Sequence, residues 1–310
     1  MKKISLVAVA ASALLLSAIA PSMRAELIVG LTTDNRITFF DSASPGLASA
    51  PILITGLGAN QTLVGIDRRP NLGANNGLLY GLALNGTMGQ VYTINEVTGF
   101  ATLVSTLNVA VNGNNFGIDF NPVPDRLRIV SDLDQNLRAN VDNGVTAVDM
   151  PLNYAPADPN AGQNPNIVAA AYSNNFGGAT TTVLRDVDSD RDVLATQTPP
   201  NNGTLNTVLP IGFNITAVAG YDISGLSGTP YFSFILDGQA FSGFYTISGG
   251  MFTLIGNVSL VTGGPLALRD IAAPVGVPIP EGGAGLLGLF TLATVTLAGA
   301  RLARKTSLQN

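Results

Sequence analysis

Short apolar runs rich in Val, Ile, Thr, Phe and Tyr alternate with clusters of Gly, Asn, Asp and Pro between Glu26 and Pro274. Helix signals are scarce there. The alternation predicts an all-β protein of many short strands. Residues 78–82, 90–94 and 100–104 read as strands, and residues 95–99 link the last two as a hairpin loop ending in glycine. Residues 115–144 read as three strands joined by turns, opening on Asn-Phe-Gly-Ile-Asp-Phe-Asn-Pro.

That opening phrase recurs, as Leu-Val-Gly-Ile-Asp at 63–67, Ala-Ala-Ala-Tyr-Ser at 169–173, Val-Ala-Gly-Tyr-Asp at 218–222 and Leu-Arg-Asp-Ile-Ala at 268–272. The anchors Asp67, Asp119, Ser173, Asp222 and Asp270 are separated by 52, 54, 49 and 48 residues. A period near 50 with about four strands per unit is that of a β-propeller blade. The first strand of each unit is small and apolar, as crowding at a central axis requires. Later strands, such as 231–235 and 251–255, carry large alternating residues suited to the space between sheets. The fifth phrase comes at the end of the domain, and residues 26–31, 36–41 and 52–56 supply strands without a phrase. A composite last blade pairing them with 266–273 would close a five-bladed ring and hide its edges. A sandwich or an irregular solenoid would not require the five-fold phrase.

The chain ends depart from this pattern. Lys2 and Lys3 precede an apolar run over 4–20, the form of a secretory signal peptide, assigned to residues 1–25 with Ala20 and Ala25 as alternative cleavage points. The propeller domain is assigned to 26–274. Residues 275–283 form a Pro/Gly linker, 284–300 an uncharged apolar segment read as one transmembrane helix, and 301–310 a tail with Arg301, Arg304 and Lys305 that stays cytoplasmic. The domain is then expected on the periplasmic side, anchored to the inner membrane.

Composition narrows the chemistry. The chain has no Cys, His or Trp, which removes disulfides, thiolate catalysis, the usual zinc ligands and the usual neutral-pH base. Between the ends, nine arginines face 19 acids, for a net charge of about −10. An acidic surface repels phosphate backbones, so nucleic acid is not an expected partner.

Four groups are candidates for chemistry. Asp67, Asp119, Asp222 and Asp270 fall at equivalent places on first strands, near the axis or one rim, where they would form an acid/base pair, hold a cation, or simply bond backbone amides. Arg126, Arg128 and Arg138 share one blade and suit an anionic sugar, or else pair with Asp119, Asp125, Asp132 and Asp134. Asp186, Asp188, Asp190 and Asp192 alternate in a loop that suggests calcium, the one candidate cofactor. Arg191 stands where a calcium loop wants glycine and Gln197 where it wants a closing acid, so a polar hairpin turn is the competing reading. The Asn-rich loops are turn formers first and glycan-binding amides second.

Two resemblances add to this. The tail resembles the PEP-CTERM and VPDSG-CTERM class of sorting signals, on Val277, Pro278, Pro280, Glu281, Gly282 and Gly283 followed by the apolar segment and basic cluster. Ile279 interrupts either consensus. The resemblance implies an exosortase-type processing enzyme as partner and delivery to the surface or exopolysaccharide matrix of a Gram-negative bacterium. The body, from about Glu26 to Ala273, resembles the bacterial family named domain of unknown function 4394. The carrying residues are 65–67, 117–122, 125–131, 136–140, 169–175 and 197–205. This implies an extracytoplasmic propeller-like domain and no activity. The expectation is a non-enzymatic binding module for polysaccharide or other envelope components. A glycan hydrolase or lyase using the axial aspartates is the alternative.

Overall fold

The apolar runs become 21 β-strands in five sheets in a computed structural model, which describes residues 25–276. The chain begins with β1 (Leu27–Thr32), β2 (Arg36–Asp41) and β3 (Ile52–Leu53). The first blade is β4 (Thr62–Arg68), β5 (Leu79–Asn85), β6 (Met88–Ile94) and β7 (Ala101–Thr106). The second is β8 (Phe116–Asn121), β9 (Arg126–Ser131), β10 (Asn136–Ala139) and β11 (Thr146–Val148). A short β12 (Asn153–Tyr154) precedes the third, β13 (Ile167–Tyr172), β14 (Leu184–Asp188), β15 (Val193–Gln197) and β16 (Thr204–Pro210). The fourth is β17 (Ile215–Ile223), β18 (Pro230–Leu236), β19 (Ser242–Ser248) and β20 (Met251–Asn257), and β21 (Leu268–Ala272) ends the series.

Each blade is an antiparallel meander running outward from its first strand. The first strands β4, β8, β13, β17 and β21 neighbour one another in that order around the axis. They come very close, which explains the glycines of the repeated phrase. A Cβ on Gly117 would lie 2.5 Å from the Ala170 nitrogen, and one on Gly220 2.8 Å from the Asp270 Cα.

Ring closure follows the expected pairing. β1 joins β21 with Val29 opposite Ala272 and Leu31 opposite Asp270, so the fifth blade is built from both ends of the domain. The apolar core is divided among the five seams between blades. Tyr80 and Leu82 meet Phe116, Phe120 and Leu127 in the first seam. Ala171 and Val187 meet Tyr221, Phe232 and Phe234 in the third. The large residues of 231–235 therefore lie between sheets as the alternation predicts, but β20 is an outer strand and leaves Met251 and Leu254 of 251–255 exposed.

Three details differ from the sequence reading. β3 is shorter than the run 52–56, because Gly56 turns with φ +84°. The third blade gains a fifth strand, since β12 pairs in parallel with β16 at the outer edge. The third copy of the phrase ends its strand at Tyr172, and Ser173 enters a turn against Val183. Among the described residues no helix is long and apolar enough to cross a membrane. The expected signal peptide up to residue 24, the sorting motif, the apolar segment 284–300 and the basic tail lie outside the described residues.

Candidate functional site

The four repeated aspartates converge on the axis. Each lies on a first strand and is buried, Asp67, Asp119 and Asp222 to 1% exposure and Asp270 to 5%. Three share one arrangement. Asp67 accepts from the amide of Arg68 at 2.6 Å and from that of Phe120 in the next blade at 2.7 Å. Asp222 accepts from Ile223 at 2.6 Å and from Ala273 at 2.5 Å. Asp270 accepts from Ile271 and Ile66, both at 2.9 Å. One oxygen thus holds the following amide of its own chain and the other reaches forward to a neighbouring first strand. These are seam-binding carboxyls, not turn caps. In the third blade the position falls to Ser173, and Asn175, fully buried, approaches the Ile223 carbonyl instead.

Asp119 is the exception. Its Oδ1 is buried with no donor, and it lies with Asp67 and Asp222 in a triad whose nearest oxygens are within 4.8 Å of one another. Burial pushes all four carboxyls up, Asp222 to about 7 and the others well above the usual carboxylate range. Mutual repulsion adds to this at Asp67 and Asp119. Asp119 and Asp222 also lie within hydrogen-bonding reach, which requires a shared proton when no other cation is there.

The axis has no room for a substrate. Its mouth, between Val64, Phe116, Val168, Val218 and Arg269, encloses about 10 Å³. At the other end Gly225 bonds Pro274 and Gly276 bonds Asn175, closing the strands over. The aspartates can hold protons or a bare ion there, but two carboxyls cannot flank a sugar.

The three arginines separate. Arg128, 1% exposed, donates to Asp149, Asn136, the Tyr172 hydroxyl and Asn201 across the seam to the third blade. Arg138 binds Asp149 through Nε and Nη2. Burial opposes ionisation of Asp149, but the hydrogen bonds from the two arginines hold it below the usual range. The expected partners were wrong. Asp125 pairs with Arg69, Asp132 caps the amides of Asn114 and Asn115, and among the described residues no arginine lies within ion-pair distance of Asp119 or Asp134. Arg126 makes no ion pair among the described residues and donates only to the carbonyls of Pro124 and Asp125.

Arg126 and Arg138 meet again at the surface. With Asn140, Asn143, Val145 and Ala147 they line an open depression of about 210 Å³ on the second blade. The Asn140 and Asn143 oxygens are engaged by the amides of Asp142 and Val145, so their N–H groups remain for a ligand.

The acidic loop does not gather. Asp188 holds the amides of Asp190 and Arg191 and the Tyr154 hydroxyl. Asp190 accepts from Asn166, and Asp192 from the Ile215 amide. Asp186 is fully buried between Ala170 and Ala195, with no partner for either oxygen, and burial pushes it up to about 8. The loop is a hairpin turn between β14 and β15.

Sequence reasoning missed Arg69. It is 3% exposed, is gripped by Asp125 and Asp142 of the second blade, and lies over the rings of Tyr80 and Phe120. Its partners are 56 and 73 residues away, so no local signal marks it.

A family model described as Domain of unknown function (DUF4394) matches residues 36–272. No curated protein matches the chain. Among solved structures, a candidate 6-phosphogluconolactonase from Bacteroides uniformis is 12% identical at a TM-score of 0.39, with 75% of this chain and 82% of that one covered. An auxiliary nutrient binding protein from Bacteroides thetaiotaomicron is 15% identical at a TM-score of 0.39, with 66% of this chain and 55% of that one covered.

Proposed function

Since the chain belongs to the family described as Domain of unknown function (DUF4394), a description that carries no activity, we propose its function from the surface of the propeller itself. The protein is a non-enzymatic binding module for an acidic polysaccharide. The observation that supports this is the donor-rich lining of the depression on the second blade. Arg126 Nε and Nη2, Arg138 Nη1 and the amides of Asn140 and Asn143 all offer protons there. A ligand with carboxylate and hydroxyl oxygens complements that set. The site is shallow, which suits a pendant group on a polymer better than an engulfed small molecule. It is also a positive spot on a domain of net charge about −10.

The termini complete the proposal. Residues 1–25 direct export and 284–300 hold the chain in the inner membrane. An exosortase-type enzyme acts at Val277–Gly283 and releases the propeller to the cell surface or matrix. The hydrolase alternative is not carried forward, because glycosidic cleavage needs two carboxyls on either side of a sugar, and the mouth of the axis on which the aspartates lie encloses about 10 Å³.

A glycan array probed with the detergent-solubilised full chain tests the binding. Uronate-bearing glycans are expected to bind, less so at high salt. Arg126→Ala should weaken binding by about tenfold or more, the worth of a charged hydrogen bond. Binding confined to neutral glycans, or undiminished in Arg126→Ala, would overturn the reading. For the termini, the protein is expressed with and without an exosortase. A surface form whose mass still includes Arg301–Asn310 defeats the sorting proposal.

A further inference from the structure

We propose that the axis of the propeller binds one hard metal cation of the calcium class, held between the carboxylates of Asp67, Asp119 and Asp222. One oxygen from each lies within 4.8 Å of the other two. Oxygens sharing one calcium at 2.3–2.6 Å are never more than about 5 Å apart. All three can therefore reach one coordination sphere with side-chain shifts of at most a few tenths of an ångström and no strand displaced.

A cluster of acids alone would be weak ground. The second observation is Asp119, 1% exposed, whose buried Oδ1 meets no amide, hydroxyl or guanidinium donor, so that only a shared proton or a cation can answer it. An unmet buried acceptor costs about 1–3 kcal/mol, and a cation is the partner that several acceptors can share. Asp67 and Asp222 remain available to it. Each of their oxygens already accepts a backbone amide, but a carboxylate oxygen has a second lone pair. Those amides orient the carboxylates toward one another.

No ion pair among the described residues compensates the site. Asp270 adds a fourth carboxyl. Arg68 is bound to Glu96, Arg269 donates to the Thr33 carbonyl, and Arg185 makes no ion pair among the described residues. None of the three arginines forms an ion pair with Asp67, Asp119 or Asp222. Buried carboxylates must then be neutralised by protons or by a metal. The donors are oxygen only and the chain has no His or Cys, which selects calcium-like ions over zinc or copper. The mouth of about 10 Å³ admits nothing larger than a water-sized species. The ion is a pin acquired during folding. It ties the first, second and fourth blades together across the third, whose first strand contributes no carboxylate.

The test uses the full chain. Metal content is measured after purification. Terbium, excited through tyrosine, then serves as the probe, since the chain has no Trp and Tyr172 and Tyr221 sit on the first strands beside the site. Expected are one equivalent of calcium per chain, a higher melting temperature after refolding in calcium than in chelator, and a terbium signal that calcium quenches. Asp119→Asn should lose that signal while keeping β-type circular dichroism. A signal retained in Asp119→Asn overturns the proposal. Should that variant not fold, the wild-type chain decides: no bound metal and identical melting with calcium or chelator overturns it equally.

Discussion

The axis and the rim of the second blade belong to one sheet, yet they treat polarity in opposite ways. At the axis, Asp67, Asp222 and Asp270 have both oxygens answered by backbone amides, and no solvent reaches them. At the rim, Arg126 keeps most of its donors unanswered and faces open space. Arg128, two residues along β9, behaves like the axis, locked by four partners in a seam. What repeats from blade to blade therefore serves the ring. What belongs to one blade and stays unsatisfied is available to a ligand. Asp119 straddles the two cases, repeated like its sisters but with one oxygen unmet.

The sharpest way to break this contrast is Asp67→Ala. It strands the amides of Arg68 and Phe120 in a dry seam and should destabilise the chain by about 4 kcal/mol, read as a lower urea midpoint with an unchanged slope. A loss under about 1 kcal/mol would show that the axial carboxyls do not bind the blades together. Next is Asp186→Leu, which removes a buried carboxyl without partners and should stabilise by about 2 kcal/mol at pH 4 in chelator, and by more as the pH rises. The sign follows from linkage. Asp186 is held up to about 8 when folded and titrates near 3.8 when unfolded. Between those values the native chain keeps a proton that the unfolded chain has released. Stability is complete below pH 4 and falls by about 1.4 kcal/mol per pH unit until it levels off above pH 8. With metal removed from the axis by chelator, Asp222 acts in the same direction up to about pH 7. Asp186→Leu should flatten this slope in denaturation curves at pH 4.5, 6 and 8. In chelator, a wild-type chain that gains stability from pH 5 to pH 8 would contradict the buried, protonated state.

Much of the ring could be read from spacing because the phrase carries its own physics. Gly117 and Gly220 are small where strands nearly touch, and the Asp positions recur at the same depth. The closure by β1 and β21 was visible for the same reason, as strands without a phrase met a phrase without strands. Distant pairings were not visible. Asp270 meets Ile66 across 204 residues, and Arg69 finds Asp142 across 73. Asp149 follows β11 with no motif to mark it yet pairs with two arginines. The acidic loop misled because alternating carboxylates look alike whether they converge or not. Here β-pairing turned Asp186 inward and left Asp190 on the surface.

The smallest expected effect is the one that separates site from scaffold most cleanly. Arg126→Ala removes a half-exposed side chain whose bonds are to its own neighbouring carbonyls. Its stability should change by less than about 0.5 kcal/mol, as for surface positions without buried partners. Its binding to uronate glycans should nevertheless fall. Arg138→Gln is the companion. It retains an amide in the depression but gives up the bidentate contact to Asp149, which Arg128 still neutralises. A modest stability loss with weakened binding is expected there. If Arg126→Ala instead lowered the urea midpoint as far as Asp67→Ala does, Arg126 would belong to the scaffold, and the depression would have lost its claim to a ligand.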